Sequence, residues 1–412
     1  MYFSDLADPS NTAASLTPAI PMVDVERLLA DPHGVFRDCR ARGPVVSIAP
    51  RRAVVLHARN VVRLVSDPRA LKAGAQYVEI SGIPDGDTAD LLKTTMLMSN
   101  GQDHTRRRAP VSRIFSQPVM RAQRMRIRAA IDQIVDAMPR SSPFDFVEAV
   151  ASRVPAELIA ATLGLPVTDA PRFRRLVYSL SRCLSPPYPI EAHDEIEASV
   201  NELLAYVTKE LDIRRHSPRD DLLTELVREN GDHTLQPREL ALQVVTLILG
   251  GSDTTRAGIA MIISLLLQHP EQWAKVNAHT TLIPGAVSEA LRFEPPIGSF
   301  ARFFTEPVDV DGVEIPTGFL VTLSALSAMR DDEIYSDPNR FDITRTGGPR
   351  LHMVFGGGPH RCLGEMLARI EMEETLAAII AKAPDMELIE PARMTGFAGI
   401  RNVTPMMVCV PN

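Results

Sequence analysis

One cysteine of this sequence lies where a glycine-rich loop meets the start of a helix. Residues 355–364 read Phe-Gly-Gly-Gly-Pro-His-Arg-Cys-Leu-Gly, and a helical pattern begins at Glu365. A cysteine at such a junction receives backbone N–H groups and the positive end of the helix dipole, both of which stabilise a thiolate. Cys362 is therefore a candidate metal ligand.

The same loop allows two other interpretations, a phosphate-binding loop and a buried structural cysteine. A phosphate loop of the Walker type needs Gly-Lys-Ser/Thr and a preceding strand, neither of which accompanies these glycines. Glycines also let a backbone approach a flat cofactor closely, and Phe355 is placed to shield the sulfur. The glycine cluster alone leaves the choice open.

A second group of reactive residues lies inside the most apolar stretch of the chain. Gly250 and Gly251 precede Ser252, Asp253 and Thr254, after the apolar run 242–249. Each glycine in a helix interior costs about 1 kcal/mol relative to alanine, so a distorted or open backbone is expected there. Polar residues facing water are the alternative, but the surrounding run is too apolar for an exposed face. We interpret the acid and the alcohol as functional.

A third group pairs a carboxylate with a guanidinium. Glu289 and Arg292 stand three residues apart on one helical face, and Arg340 follows in Asp-Pro-Asn-Arg-Phe. Such an i,i+3 pair is most often a solvated surface feature worth about 0.3 kcal/mol. Taken by itself, the pair favours that interpretation.

These groups, in the order in which they occur along the chain, resemble the motifs of the cytochrome P450 family. Phe355, Gly358, Cys362 and Gly364 match its haem signature Phe-x-x-Gly-x-x-x-Cys-x-Gly. The resemblance covers nearly the whole chain from the Asp-Pro pair at 31–32 onward. It implies that Cys362 is the thiolate ligand of the iron of haem b, and that Phe355 and Gly364 belong to the cofactor site.

The resemblance also assigns roles to the other two groups. It implies that Glu289, Arg292 and Arg340 brace the cysteine loop. Thr254 would hydrogen-bond O₂ and an ordered water, while Asp253 would relay protons from solvent.

Haem carries two propionates, so a buried haem needs cationic or hydrogen-bonding partners. Each candidate alone is more often a surface charge or a structural histidine. Together they match the propionate-binding positions that the resemblance implies, and His352 is a fifth, weaker candidate. The four are His104, Arg108, Arg302 and His360.

The substrate pocket can be assigned only by resemblance, and its lining is largely apolar. This predicts a small to medium apolar organic substrate, although each of these side chains could equally be core packing. Lys72, Lys93 and Thr246 remain possible partners of a substrate carboxylate. The predicted pocket residues are Thr246, Leu249, Gly250, Ile297, Phe300 and Phe397.

The elements that must position these residues are mainly helical. Apolar residues recur at helical spacing through 120–138, 146–163, 191–213, 237–268 and 362–383, and strands are predicted near 44–57, 307–315 and 318–325. Pro237 and Pro270 delimit one helix of about 32 residues, which spans roughly 50 Å. The resemblance implies a mainly α P450-type fold with small accessory β-sheets, with haem buried between this long helix and the cysteine loop.

No repeat or linker divides the chain, which predicts a flexible N-terminal arm at 1–20 and a single domain at 21–412. Of the 412 residues 45% are hydrophobic and 23% charged, as in a globular protein with a large core. A net charge of −7 argues against nucleic-acid binding, and four dispersed cysteines suggest neither disulfides nor a zinc site. With no signal-peptide pattern and no uninterrupted apolar span, we expect a cytoplasmic monomer without membrane insertion.

The function implied by the resemblance is monooxygenation, by hydroxylation or oxidative dealkylation of an apolar substrate. The electrons would come from NAD(P)H through a ferredoxin reductase and a ferredoxin. A peroxide-using peroxygenase and a non-catalytic haem sensor or carrier are alternatives, and the acid–alcohol pair argues against both. Candidate contacts for an acidic ferredoxin are Arg106, Arg107, Arg113, Arg361 and Arg369, although all could be solvating charges.

Overall fold

The computed structural model describes residues 20–184, 188–231, 234–347 and 352–411. Helices dominate the described residues, which also form four sheets. The predicted arm at 1–20 lies outside the described residues except for its last residue. None of the helices described is both long and apolar enough to cross a bilayer.

The α-helices, in chain order, are α1 (Val25–Ala30), α2 (Pro32–Arg40), α3 (Ala58–Val65), α4 (Gly74–Ile80), α5 (Asp87–Thr94), α6 (Gly101–Ile114), α7 (Gln117–Ala122), α8 (Arg124–Asp136), α9 (Arg153–Leu163), α10 (Ala170–Ser181), α11 (His193–His216), α12 (Leu222–Glu229), α13 (Pro237–Gln268), α14 (Pro270–Ala278), α15 (Ile283–Phe293), α16 (Ala325–Ala328) and α17 (Glu365–Lys382). A π-helical turn at Val147–Ala151 precedes α9, and short 3₁₀ turns at Met353–Phe355 and Gly358–His360 shape the cysteine loop.

The strands are β1 (Val45–Ala49), β2 (Arg52–Val55), β3 (Ala70–Leu71), β4 (Phe144–Asp145), β5 (Ser299–Phe304), β6 (Val308–Val310), β7 (Val313–Ile315), β8 (Leu320–Ser324), β9 (Glu387–Glu390), β10 (Met394–Thr395), β11 (Asn402–Val403) and β12 (Met407–Cys409). The largest sheet has the order β1-β2-β8-β5-β3, in which only β2 and β8 pair in parallel. The smaller sheets are β4-β12-β9, β6-β7 and β10-β11.

The long helix α13 runs through the core from Pro237 to Gln268, as the two prolines predict. Pro237 is tolerated in its first turn because the N–H it lacks has no partner inside the helix there. Most of its residues are buried, including apolar ones on all sides, because α9, α10, α11, α15 and α17 pack around it. A helix surrounded in this way can hold polar residues at a fixed place inside the protein.

Most of the other predicted elements are present with shifted ends. The stretch 120–138 is divided between α7 and α8 at Gln123, and the predicted strand at 44–57 is the hairpin of β1 and β2. Strand β5, which carries Arg302, has no counterpart among the predicted strands. Its burial does not alternate regularly along the strand, so its sequence lacks the two-residue period of a half-buried strand.

Candidate active site

The cysteine loop folds back on itself and packs against the end of α3. The backbone N–H of Cys362 donates to the carbonyl of Phe355 at 2.8 Å. A Cβ on Gly357 would lie 2.7 Å from Val65 Cγ1, and one on Gly358 would lie 3.0 Å from the Cα of Ser66. Gly358 also has a φ of +59°, which side chains disfavour. These two glycines therefore let the loop approach α3, a role that the sequence did not reveal.

The sulfur of Cys362 is surrounded by protein, although the side chain keeps exposed surface. The surrounding protein desolvates the sulfur and raises the pKa of the thiol. The backbone N–H of Gly364 hydrogen-bonds the sulfur and lowers this pKa, as do Arg108 and Arg361. Desolvation outweighs these three contributions, and the pKa of the thiol is raised. The thiolate therefore needs a further positive charge, which a metal ion supplies.

Helix α13 presents an open face at its midpoint. Gly250 is exposed although its neighbours are buried, and a Cβ built on it would meet nothing within 4 Å. Gly251 instead packs against α9, where a Cβ would lie 3.2 Å from Ile159. Four residues along, Thr254 is half-buried and its Oγ1 donates to the Gly250 carbonyl at 3.3 Å. This long hydrogen bond leaves the hydroxyl free to turn toward a ligand on the open face.

Asp253 is buried beside Thr254 and paired on its own helix. Its Oδ1 accepts from Arg256 Nε at 3.0 Å and from Nη2 at 2.6 Å. Its Oδ2 is buried without a hydrogen-bond partner. The guanidinium of Arg256 lies 5.6 Å from the ring centroid of Tyr178 on α10, a largely exposed side chain. One carboxylate oxygen is thus fixed by an ion pair, and the other is available to a proton.

The four predicted propionate partners come from three separate parts of the chain and include two histidines whose rings are in contact. His104 on α6 and His360 in the cysteine loop lie with their ring centroids 4.1 Å apart. Arg108, one turn after His104, donates from Nη2 to the carbonyl of Arg361 at 2.7 Å. Arg302 is 1% exposed, and its Nε has no hydrogen-bond partner.

This cluster is positively charged, and no anion of the described part of the chain balances it. Burial lowers the pKa of Arg302 to about 10. Burial, followed by the charges of Lys72, His104, Arg302 and Arg108, lowers the pKa of His360 to about 2. Within the described residues no carboxylate forms an ion pair with Arg108 or Arg302. A group that carries carboxylates, such as haem with its propionates, fits here because it supplies the missing negative charge.

His352, the weaker candidate, does not belong to this cluster. Its Nε2 lies 3.0 Å from the carbonyl of Ser288, and its Nδ1 accepts from the backbone N–H of Val354. Both ring nitrogens are therefore used within the protein.

The predicted brace of Glu289 and Arg292 contains Arg345 in place of Arg340. Glu289 and Arg292 are buried and joined by two hydrogen bonds of 2.7 and 2.8 Å. Arg345 Nε lies 3.2 Å from both oxygens of Glu289, whereas the side chain of Arg340 is exposed. Arg340 contributes only its carbonyl, which accepts from Arg292 and Arg345. The prediction for Arg340 is wrong because the 336–345 loop turns its side chain outward.

Some of the predicted pocket residues lie at the open face of α13 or next to the cysteine loop, and others pack in the core. Thr246 is buried and donates to the carbonyl of Leu242 at 2.8 Å, so its hydroxyl is already bonded. The Phe300 ring lies 3.5 Å from where a Cβ on Gly356 would stand, next to the cysteine loop. Phe397 packs edge-to-face on Phe36 at 6.3 Å in a small second core. Leu249 is buried, Gly250 is open, and Ile297 is half-buried.

The arginines expected to contact a ferredoxin all have acidic partners within the chain. Arg106 and Arg107 share Glu239 at 2.6 and 2.9 Å. Arg361 and Arg369 share Glu365 at 2.5 and 3.3 Å, and Arg113 pairs with Glu229.

Two other arginines are exposed on neighbouring helices. Arg121 on α7 and Arg126 on α8 form no ion pair within the described residues.

Comparison with known proteins gives consistent matches. The family model for cytochrome P450 matches residues 189–283 and 277–382. A plant-inducible protein of Rhizobium radiobacter, cytochrome P450-pinF1, is 40% identical over 94% of this chain and 92% of its own length. The monooxygenase PikC of Streptomyces venezuelae is 32% identical over 94% and 93%. The solved structure of CxnD, a cytochrome P450 enzyme for C–S bond formation, has a TM-score of 0.84, 29% identity, and coverage of 95% and 98%.

Proposed function

The chain belongs to the cytochrome P450 family, and from this premise we propose that it oxidises a C–H bond of a small to medium apolar molecule with electrons from NAD(P)H. It is a monooxygenase that uses haem b and O₂. The observation that carries the proposal is the open face at Gly250 on the otherwise buried helix α13, in a chain with an accessible Cys362, and we propose that a cleft for the cofactor and substrate runs between the two. We assign hydroxylation or oxidative dealkylation as the reaction.

The residues proposed to hold the haem surround this cleft. Cys362 would ligate the iron, and Arg108, Arg302, His104 and His360 would meet the propionates. Bound haem supplies the O₂ chemistry, and a thiolate ligand favours cleavage of the O–O bond. The Arg302 guanidinium supports this assignment most directly, because it is buried with an unpartnered Nε.

Proton delivery is assigned to Asp253 and Thr254. Thr254 Oγ1 would leave its long hydrogen bond to the Gly250 carbonyl and donate to a ligand at the open face. Asp253 would carry the proton on Oδ2 while Arg256 holds Oδ1 in place. The contact of Arg256 with the ring of Tyr178 helps to hold the guanidinium in this position.

An apolar substrate fits the part of the cleft that the described residues line. Phe300 is half-buried beside the cysteine loop, and Leu249 is close in sequence to the open glycine. Thr246 is bonded to its own helix and offers no free donor for a substrate carboxylate. We therefore assign a guest that is held mainly by apolar contact.

The electron donor is proposed to be an acidic ferredoxin, reduced by an NAD(P)H-dependent reductase. We propose that the ferredoxin docks on the exposed Arg121 and Arg126. The five arginines predicted from the sequence are instead paired with acidic residues of the chain. Arg124 contacts Glu373 and Glu374 on α17, and Lys382 contacts Asp132, so α8 and α17 run in the same direction. Helix α7 therefore lies toward the Cys362 end of α17.

We propose a cytoplasmic monomer.

Two experiments test the proposal. A lipophilic library is screened for compounds that convert the haem from low to high spin, because a guest displaces the water on the iron. Hits are then incubated with ferredoxin, reductase and isotopically labelled O₂, and a product that carries one labelled oxygen is expected. Turnover with peroxide alone, and none with the electron-transfer chain, would favour the peroxygenase alternative.

The docking surface has its own test. Replacing Arg121 and Arg126 with Glu is expected to raise the KM for ferredoxin and to leave the substrate-induced spin shift unchanged. Arg42→Glu, at an exposed arginine without an ion pair near the end of α2, is the control for the change of charge. Equal KM values in the double variant and the control would reject this surface.

A further inference from the structure

Lys72, which directly follows strand β3, is a second cation close to the buried Arg302. Strand β3 pairs with β5 so that Ala70 faces Phe304 and Leu71 faces Phe303. Continuing this register by one residue places Lys72 opposite Arg302. Directly opposed residues of an antiparallel pair point to the same face with Cβ atoms about 5 Å apart, and like charges there are destabilising.

The backbone of Lys72 is fixed to the helix that carries His104. Its N–H donates to Asn100 Oδ1 at 2.8 Å, and its carbonyl accepts from Asn100 Nδ2 at 3.0 Å. Asn100 precedes α6, and its own carbonyl accepts from the backbone N–H of His104 at 3.2 Å. Lys72 is thereby held in one place between β5 and the start of α6.

No anion among the residues that the structure describes balances these cations. Lys72 forms no ion pair within the described ranges, nor does Arg302. Burial and the charge of Arg302 lower the pKa of Lys72 well below its ordinary value. Two opposed, poorly hydrated cations stay charged together when an anion lies between them, because the lysine otherwise relieves the repulsion by losing its proton.

The required anion is a carboxylate from haem or from a substrate, and the neighbours of Lys72 favour haem. Lys72 is close enough to lower the pKa of both His104 and His360, whose ring centroids are 4.1 Å apart. His360 precedes Cys362 by two residues, a distance of at most about 7 Å along the chain. An anion held by Lys72 therefore lies at the edge of the group that Cys362 is proposed to bind.

We propose that Lys72 is a further cofactor-binding residue, whose ammonium group donates to the haem propionate that Arg302 also binds. The inference rests on the proposed function, because it assumes that Arg302 meets a propionate. It assigns to haem a lysine that the sequence had left open as a partner of a substrate carboxylate.

The test measures the transfer of haem from the holoenzyme to apomyoglobin. Lys72→Met, which removes the charge at similar size, is expected to release haem about tenfold faster than the wild type. Lys72→Arg is expected to restore most of the retention. Lys93→Met is the matched control, because Lys93 contacts Asp85 at the surface, and it is expected to release haem at the wild-type rate.

A second arm uses haem in which both propionates are esterified. The wild type and Lys72→Met are then expected to release the cofactor at the same rate, because the anion is gone. The propionate-bending band in the resonance Raman spectrum is expected to shift in Lys72→Met and to return in Lys72→Arg. If Lys72→Met does not accumulate as holoenzyme, Lys72→Gln replaces it under the same criteria.

Two results would overturn the inference. One is unchanged haem release and an unchanged propionate band in Lys72→Met. The other is unchanged release together with a weaker spin shift by a fatty acid but not by its methyl ester, which would assign Lys72 to a substrate carboxylate. Failure of the wild-type protein to bind haem would instead contradict the proposed function.

Discussion

Replacing Arg345 with alanine is expected to destabilise the haem-bound protein by about 2–4 kcal/mol, whereas Arg340→Ala is expected to change its stability by less than about 0.5 kcal/mol. Arg345 Nε contacts both oxygens of Glu289, which is 3% exposed. Its Nη1 and Nη2 also donate to the carbonyls of Ser336, Asp337 and Arg340. One side chain therefore joins the brace to the 336–345 loop.

The magnitude follows from what the variant leaves behind. Removing one partner of a buried ion pair lowers the free energy of unfolding by about 3–5 kcal/mol when the other charge is left buried without a partner. Glu289 keeps Arg292 and the backbone N–H of Asp342 at 2.9 Å, so the expected cost is lower. The Arg340 side chain is exposed and makes no contact with the carboxylate, and ordinary surface substitutions change stability little.

The assay is a urea titration of both holoenzymes, followed by circular dichroism and by the absorbance of bound haem. Arg345→Lys keeps the charge but loses the planar fork, so it should fall between Arg345→Ala and the wild type. An Arg340→Ala protein that is destabilised as much as Arg345→Ala would refute the reasoning.

The other predictions concern the cleft and acid stability. Thr254→Ala should uncouple NAD(P)H oxidation from product and release peroxide, and unchanged coupling would remove this hydroxyl from the relay. Gly250→Ala should fold normally and weaken the spin shift only for bulky guests, whereas Gly251→Ala must displace Ile159 and should lower the unfolding temperature; equal effects would contradict this division. Burial lowers the pKa of His352 from 6.5 to about 4, so the folded state resists its protonation and stability falls as the pH drops from 6.5 through 4. Between pH 6.5 and pH 4, the free energy of unfolding of His352→Gln should fall by about 3 kcal/mol less than that of the wild type, as measured by urea titrations. An unchanged dependence of this free energy on pH would exclude His352 as the source of the loss.

Local patterns in the sequence are sufficient to predict the long helix and the order of the motifs. Pro237 and Pro270 delimit α13, because each restricts the backbone of its own residue and its neighbour. The glycine at 250 was visible as a weak point in this helix. That Gly251 packs on Ile159 while Gly250 stays open depends on where α9 lies, and α9 is far away in the sequence.

Contacts between distant segments account for what the sequence could not predict. Arg340 and Arg345 stand in one loop, and only the path of that loop decides which side chain reaches Glu289. Strand β3 has two residues and pairs with a strand more than two hundred residues later, so nothing local to Lys72 pointed to Arg302. The ion pairs of the arginines expected at the ferredoxin surface could not be predicted for the same reason, because partners such as Glu239 lie on other helices.

The central claim is that Cys362 provides the thiolate ligand of the haem iron, and the carbon monoxide spectrum of the reduced protein tests it most directly. The wild type is expected to show the strongly red-shifted Soret band of thiolate ligation, and Cys362→Ser to lose it. Serine replacements of Cys39, Cys183 and Cys409 should each retain the band. A Cys362→Ser protein that still shows the red-shifted band would contradict the account.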